Sequence, residues 1–178
     1  MTNEQVEIVK RTIIRLLPPR PEGNSEIIIQ RYEKQKRDAN QAFGDVFYPK
    51  LFELAPDTQE LFKDLEGTKQ KFPDMLTLLV RSMNRLHDTL NTMQELGVVH
   101  MKAGVKLEHY QPFVKALLWT FHKQLGDEIF NGQVAEAFVA VLSRICGIMC
   151  NAAYPEVRGL PADAPMPKSG DASTPPTT

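Results

Sequence analysis

Apolar side chains recur along this chain at intervals of three and four residues, and the alternation of a half-buried strand is nowhere sustained. Residues 3–17 place Val6, Val9, Ile13 and Leu16/Leu17 on one helical face. Ser25 is placed to cap a long helix through Leu54, with Ile28, Tyr32, Ala39, Phe43 and Phe47 turned inward. Pro49 falls inside that segment, removes a backbone donor and predicts a bend. Pro56 suits the first turn of a short helix ending near Phe62. Met75, Leu76, Leu79, Met83 and Leu86 form the next stripe, and Leu90, Met93, Leu96 and His100 another, on a short helix stopped near Gly104. Glu108–Leu125 carries Pro112 near its start and points Phe113, Leu117, Phe121 and Leu125 inward. Gly126 and Gly132 bracket a turn, after which Val134, Phe138, Val141/Leu142, Ile145 and Met149 run to Pro155. The predicted fold class is all-α, with six to eight helices.

Two stretches break the pattern. Pro18-Pro19-Arg20-Pro21-Glu22-Gly23-Asn24 cannot continue a helix and reads as a connector. Residues 159–178 hold five of the 13 prolines and no aromatic or β-branched aliphatic side chain. Such a stretch cannot offset its ordering entropy by burial, which predicts a flexible tail; a proline-rich ligand for another domain is the alternative. The expected organisation is one domain over 1–158 followed by the tail.

Composition narrows the function classes. Apolar residues make up 42% of the 178, enough for a buried core. Lysine plus arginine (21) nearly cancels aspartate plus glutamate (22), leaving −1 and no field for gripping a nucleic acid. Two cysteines make no disulfide framework. Glu4, Glu7 and Arg15 interrupt the N-terminal apolar run too soon for a signal peptide, and no run approaches the roughly 18 apolar residues of a membrane span. The expectation is a cytoplasmic protein with neither nucleic acid nor membrane as partner.

Of four histidines, His87, His100, His109 and His122, none pairs at i, i+4, and there is no HExxH. A glycine-rich phosphate loop and a GxSxG elbow are also missing from the sequence. His109 and His122 are expected at the surface, and Cys146 and Cys150, one turn apart, as buried small hydrophobes rather than a redox pair. His100 differs because it extends the apolar face of Met93 and Leu96, so it points to the interior, as a satisfied core histidine or as a ligand.

The stretch Leu96-Gly-Val-Val-His100-Met-Lys-Ala-Gly104-Val105-Lys-Leu-Glu-His109-Tyr110, followed by Leu117-Leu118-Trp-Thr, resembles helix F through helix G of bacterial globins. These are the single-domain haemoglobins and the haem domain of flavohaemoglobins. Phe47-Tyr48-Pro-Lys-Leu51-Phe52-Glu-Leu-Ala-Pro56, running to Leu61-Phe62-Lys63, is similar to their helix B, helix C and CD corner. Glu4-Gln5-Val6, Val9-Lys10, Thr12-Ile13 and Leu16-Leu17 resemble their helix A, so the likeness spans residues 3–157.

The resemblance implies a globin fold around haem b, with His100 as the proximal iron ligand, its second ring nitrogen donating to a carbonyl near Leu96. It makes Tyr48 the distal tyrosine that donates to bound dioxygen and Phe62 the wedge against the haem at the CD corner. Aligning Lys71 with the lysine of the helix E pattern puts Phe72, 28 residues before His100, over the haem face. The distal polar position then falls on Thr68 or, alternatively, Gln70, with Lys71 reaching a propionate and Pro73 disturbing the helix nearby. Leu96 and Val105 flank the haem. Tyr110 matches a tyrosine that pairs with a helix H glutamate, but that position falls near Ala153, and Glu156 is three residues away. The A–B connection over 18–40, with a lengthened helix B, exceeds the family's by about twenty residues, well beyond an ordinary loop.

Two functions follow as expectations. One is reversible binding of dioxygen and other diatomic gases, for transport or storage, or for nitric oxide dioxygenation with an external reductase. The other is a gas sensor or a haem-free interaction module on the same fold.

Overall fold

The computed structural model describes residues 1–22, 25–82 and 86–154, without the side chains of 82–89. The expectations for Met83, for the side chains of Leu86 and His87, and for Glu156 and the tail therefore lie outside what is described. Six α-helices follow in order: α1 Asn3–Leu16, α2 Glu26–Leu54, α3 Leu65–Ser82, α4 Leu86–Lys102, α5 Tyr110–Ile129 and α6 Gly132–Ala153. Short 3-10 segments, Pro56–Leu61 and Leu107–His109, link α2 to α3 and α4 to α5. No strand occurs among the described residues, so the fold class is all-α.

Helix α1 opens with a reciprocal cap. The Thr2 hydroxyl accepts from the Gln5 amide at 3.2 Å, and the Gln5 side chain accepts from the Thr2 amide at 2.8 Å. Its Val6, Val9 and Ile13 are buried, and the helix packs on α6. Helix α6 is long and apolar enough by composition to cross a membrane, but much of it is the core. Phe138, Val141, Leu142, Ile145 and Met149 are buried under α1, α4 and α5.

Helix ends and exposed turns differ in places from the expectations. Ser25 stands at the start of α2 without a side-chain capping bond, and Ile27 and Ile28 are 71% and 43% exposed, so the described helices leave the first turns of α2 uncovered. Helix α2 runs unbroken through Pro49, and α3 through Pro73. A proline removes one helical hydrogen bond, which packing on both sides of the helix can offset. Helix α4 starts at Leu86, earlier than its apolar stripe suggested, and ends as expected before Gly104, whose φ of 95° favours glycine.

Candidate functional site

Helices α2, α3, α4, α5 and α6 surround a cavity of about 450 Å³, lined almost wholly by apolar side chains. That volume lies within the roughly 300–1,000 Å³ of small-molecule and cofactor pockets. Met75 and Val99 line it yet are 43% and 59% exposed, so it opens between α3 and α4.

The proximal side is built on α4. His100 lines the cavity, and its Nδ1 lies 2.8 Å from the Leu96 carbonyl oxygen, one turn earlier. A carbonyl only accepts, so Nδ1 carries the proton and the Nε2 lone pair is left for a metal. Behind α4, Leu142, Ile145, Cys146 and Met149 of α6 form the back wall. The two helices touch at Gly97, where an added Cβ would come within 2.7 Å of Met149 Cα. Cys146 and Cys150 are both buried and unpaired, as expected, and burial pushes both thiols up to about 12.

The distal side is aromatic. Tyr48 is 1% exposed and held among Phe47, Phe52, Phe62 and Phe72, at ring separations of 5.0, 6.0, 5.1 and 6.3 Å. Burial drives its phenol well above the ordinary range, so it stays a donor. Yet no described side chain or backbone group takes its hydrogen bond. A buried hydroxyl facing a cavity without a protein partner is what a polar ligand atom would complete.

The cavity brings together Tyr48, Phe62, Thr68, Lys71, Phe72, Leu96, His100, Val105 and Tyr110. Gln70 is not among them. Its amide nitrogen donates to Gln41 Oε1 at 2.9 Å and to the Arg37 carbonyl at 3.4 Å, on the far side of α3. Of the two distal readings, the cavity therefore has Thr68, whose hydroxyl donates to the Asp64 carbonyl at 2.6 Å. Lys71 is exposed at the rim and makes no ion pair among the described residues.

Tyr110 is 6% exposed, and its buried hydroxyl has no oxygen or nitrogen partner among the described residues; the Cys150 thiol, a weak partner, lies beside it. Burial, with that thiol and the Tyr154 phenol nearby, keeps the phenol un-ionised. No carboxylate meets it among the described residues, and Ala153 is where the sequence put the missing acid.

One expectation is overturned outright. His109 is 5% exposed rather than on the surface and lines the cavity, while His122 is exposed as expected. His109 Nδ1 accepts from the Lys106 amide at 3.1 Å, so Nε2 donates to Asp57, 3.0 Å away. Lys106 Nζ reaches the same carboxylate at 3.1 Å. This latch joins the 3-10 segment ahead of α3 to the one after α4, across 52 residues of sequence. Nothing local in the sequence announces such a pairing. The apolar stripe of α6 was legible as core, but not as the wall of a cavity.

The residues fit a haem: an imidazole oriented by the Leu96 carbonyl, an apolar cavity, a tyrosine on the distal wall and a lysine at the rim. Comparison with known proteins agrees. Residues 45–149 match the family profile described as Globin. The chain is 26% identical over 124 residues to "Anaerobic nitrite reductase NSHB5" of Oryza sativa subsp. indica, covering 66% of this chain and 84% of that protein. It is 25% identical over 108 residues to another anaerobic nitrite reductase, from Gossypium hirsutum, covering 52% and 68%. With most of its length in the matching profile and the all-α fold around one cavity, this chain belongs to the globin family.

Proposed function

We propose that this protein binds haem b through His100 and takes up dioxygen and other diatomic gases reversibly. The observation that carries the reading is the pairing of His100 and Tyr48 on one apolar cavity: a ring nitrogen left free on one wall, an unpartnered hydroxyl on another. A haem bound there would supply an iron able to take up a small gas. His100 offers Nε2, and the Leu96 carbonyl fixes its tautomer and orientation. Tyr48 would offer its hydroxyl as a hydrogen-bond donor within the cavity, in a site dry enough to strengthen that bond. Phe62, Phe72, Leu96 and Val105 exclude water, and Lys71 would meet a propionate at the rim. Cys146 and Cys150 have three residues between them and no histidine after the second, which does not match the C-x-x-C-H of thioether attachment and favours the non-covalent b type.

The bacterial single-domain likeness, the domain over 1–158 and a cytoplasmic location belong to the same reading. Reversible binding serves transport or storage, or nitric oxide dioxygenation with an external reductase. The absence of a carboxylate beside Tyr110 among the described residues favours the binding role over strong activation of oxygen.

The names of the rice and cotton relatives favour a second activity at the same site. Nitrite would be reduced to nitric oxide by one electron from an external reductase, with two protons taken up and water released. Lys71 at the mouth is the cation placed to draw the anion in.

Titrating the protein with haemin tests the first reading. The wild type is expected to take up one equivalent and show distinct ferric, ferrous and carbon-monoxide spectra, and His100→Ala to lose stoichiometric uptake while keeping its helical circular dichroism. Equal uptake and spectra in the two proteins would remove the proposal. Anaerobic nitric oxide release from nitrite, slower in Lys71→Ala, tests the second.

A further inference from the structure

Helix α2 extends well ahead of the Globin match, which begins at residue 45. The part that lies outside the match is not idle. Lys36 Nζ meets Asp74 Oδ2 at 2.8 Å, and Asn40, only 3% exposed, donates to the Gln70 carbonyl at 2.7 Å and to Asp74 Oδ1 at 3.4 Å. Gln41 accepts from Gln70 at 2.9 Å and donates to Glu66 at 3.0 Å, and Gln70 also reaches the Arg37 carbonyl. On α3 the partners are Glu66, Gln70 and Asp74, at i, i+4 and i+8, so they form one stripe. The cavity-lining Thr68 and Phe72 of the same helix each stand two residues from Gln70, about 160° around the axis and so on the opposite face.

The stripe straddles Pro73. That residue has no amide hydrogen, so the carbonyl of Lys69 loses its helical partner. The bonds from α2 land on residues 70 and 74, on either side of the gap.

We propose that Lys36, Asn40 and Gln41 are positioning residues for the distal wall. They fix the rotation and depth of α3, so that Thr68 and Phe72 face the cavity and Gln70 faces away. The lengthened α2 is then a brace that sets how readily the distal side opens to a gas. Its consequence for gas release rests on the proposed gas binding; its hold on α3 does not.

The test compares the wild type with Lys36→Ala/Gln41→Ala, both partly exposed, and with Asn40→Leu. Amide hydrogen exchange is read along α3 and, as a control, along α5, and dioxygen release is followed in the haem-loaded protein. The expected result is exchange in α3 about tenfold faster with α5 unchanged, for a loss on the scale of one or two hydrogen bonds. Dioxygen release is expected to be several-fold faster. Unchanged α3 protection, equal loss in α3 and α5, or an unaltered release rate with α3 loosened would each overturn the proposal. If the wild type takes up no haem, the gas-binding reading fails, and the exchange comparison alone upholds or overturns the brace.

Discussion

The two walls of the cavity are held by different physics. On the proximal side, α4 lies against α6 so closely that a side chain at Gly97 would meet the Met149 backbone. The ligand itself is oriented by one hydrogen bond within its own helix. On the distal side, the neighbour of Gly44 at the α2–α3 crossing is the Lys69 side chain, and the helices are tied by amides and ion pairs with water at hand. Backbone contact cannot be adjusted by small changes, because interiors are close-packed and respond to single methyl groups. Exposed polar bonds contribute less each and can be strengthened or lost one at a time. A gas-binding protein needs a fixed metal ligand and a tunable entrance, and this division supplies both.

The largest effect that would break the contrast is at Gly97. Gly97→Ala puts a methyl group into the Met149 backbone, so α4 or α6 must move, and the expected loss is about 3 kcal/mol, at the upper end for overpacking. Denaturant unfolding measures it. A shift of a few tenths of a kcal/mol would mean that the proximal packing is as yielding as the distal.

How much of this was legible in the sequence follows the same line. The helices could be read because burial repeats every three to four residues, and His100 could be singled out because it sits where that repeat wants an apolar side chain. Even the bond to Leu96 was readable, since it spans a single turn. The latch from Asp57 to His109 and the ties from α2 to α3 were not, because they join residues 24 to 52 positions apart through groups with no periodicity. His109 looked like a surface residue for that reason: its burial depends on a partner from another segment. Thr68 and Gln70 could not be separated until the register of α3 was known, and Gln41 and Arg37 show which way Gln70 points.

A smaller effect sharpens the distal side. Tyr48→Phe removes the only hydroxyl in the aromatic cluster without changing the shape of the site. Dioxygen release from the haem-loaded protein is expected to speed about tenfold, the equivalent of roughly 1.4 kcal/mol for a hydrogen bond in a dry site. Stopped-flow release against carbon monoxide reads it directly, and an unchanged rate would leave Tyr48 as a packing residue.

Tyr110→Phe asks the matching question of the proximal side. Its hydroxyl is buried with at most a weak thiol contact, so removing it is expected to raise stability by up to about 1 kcal/mol and leave dioxygen release unchanged. A loss of stability, or a change in the resting spectrum, would show that the Cys150 thiol bonds the hydroxyl firmly enough to hold the proximal wall.

The smallest effect concerns the latch that joins the two walls. Hydrogen bonds from His109 first, then Lys106, hold the Asp57 carboxyl below its ordinary value of 3.8. A depressed folded-state value means that the ionised carboxylate stabilises the fold above about pH 4, and that this contribution is lost as pH falls through the folded value. Asp57 is 53% exposed, so solvent screens the pairing and the gain is expected below about 1 kcal/mol. Stability measured from pH 6 down to pH 3 should therefore fall slightly more steeply in the wild type than in Asp57→Asn, with the curves converging at the acid end. Parallel curves would show that His109 is held by burial alone, and that the proximal and distal segments meet without a charged latch between them.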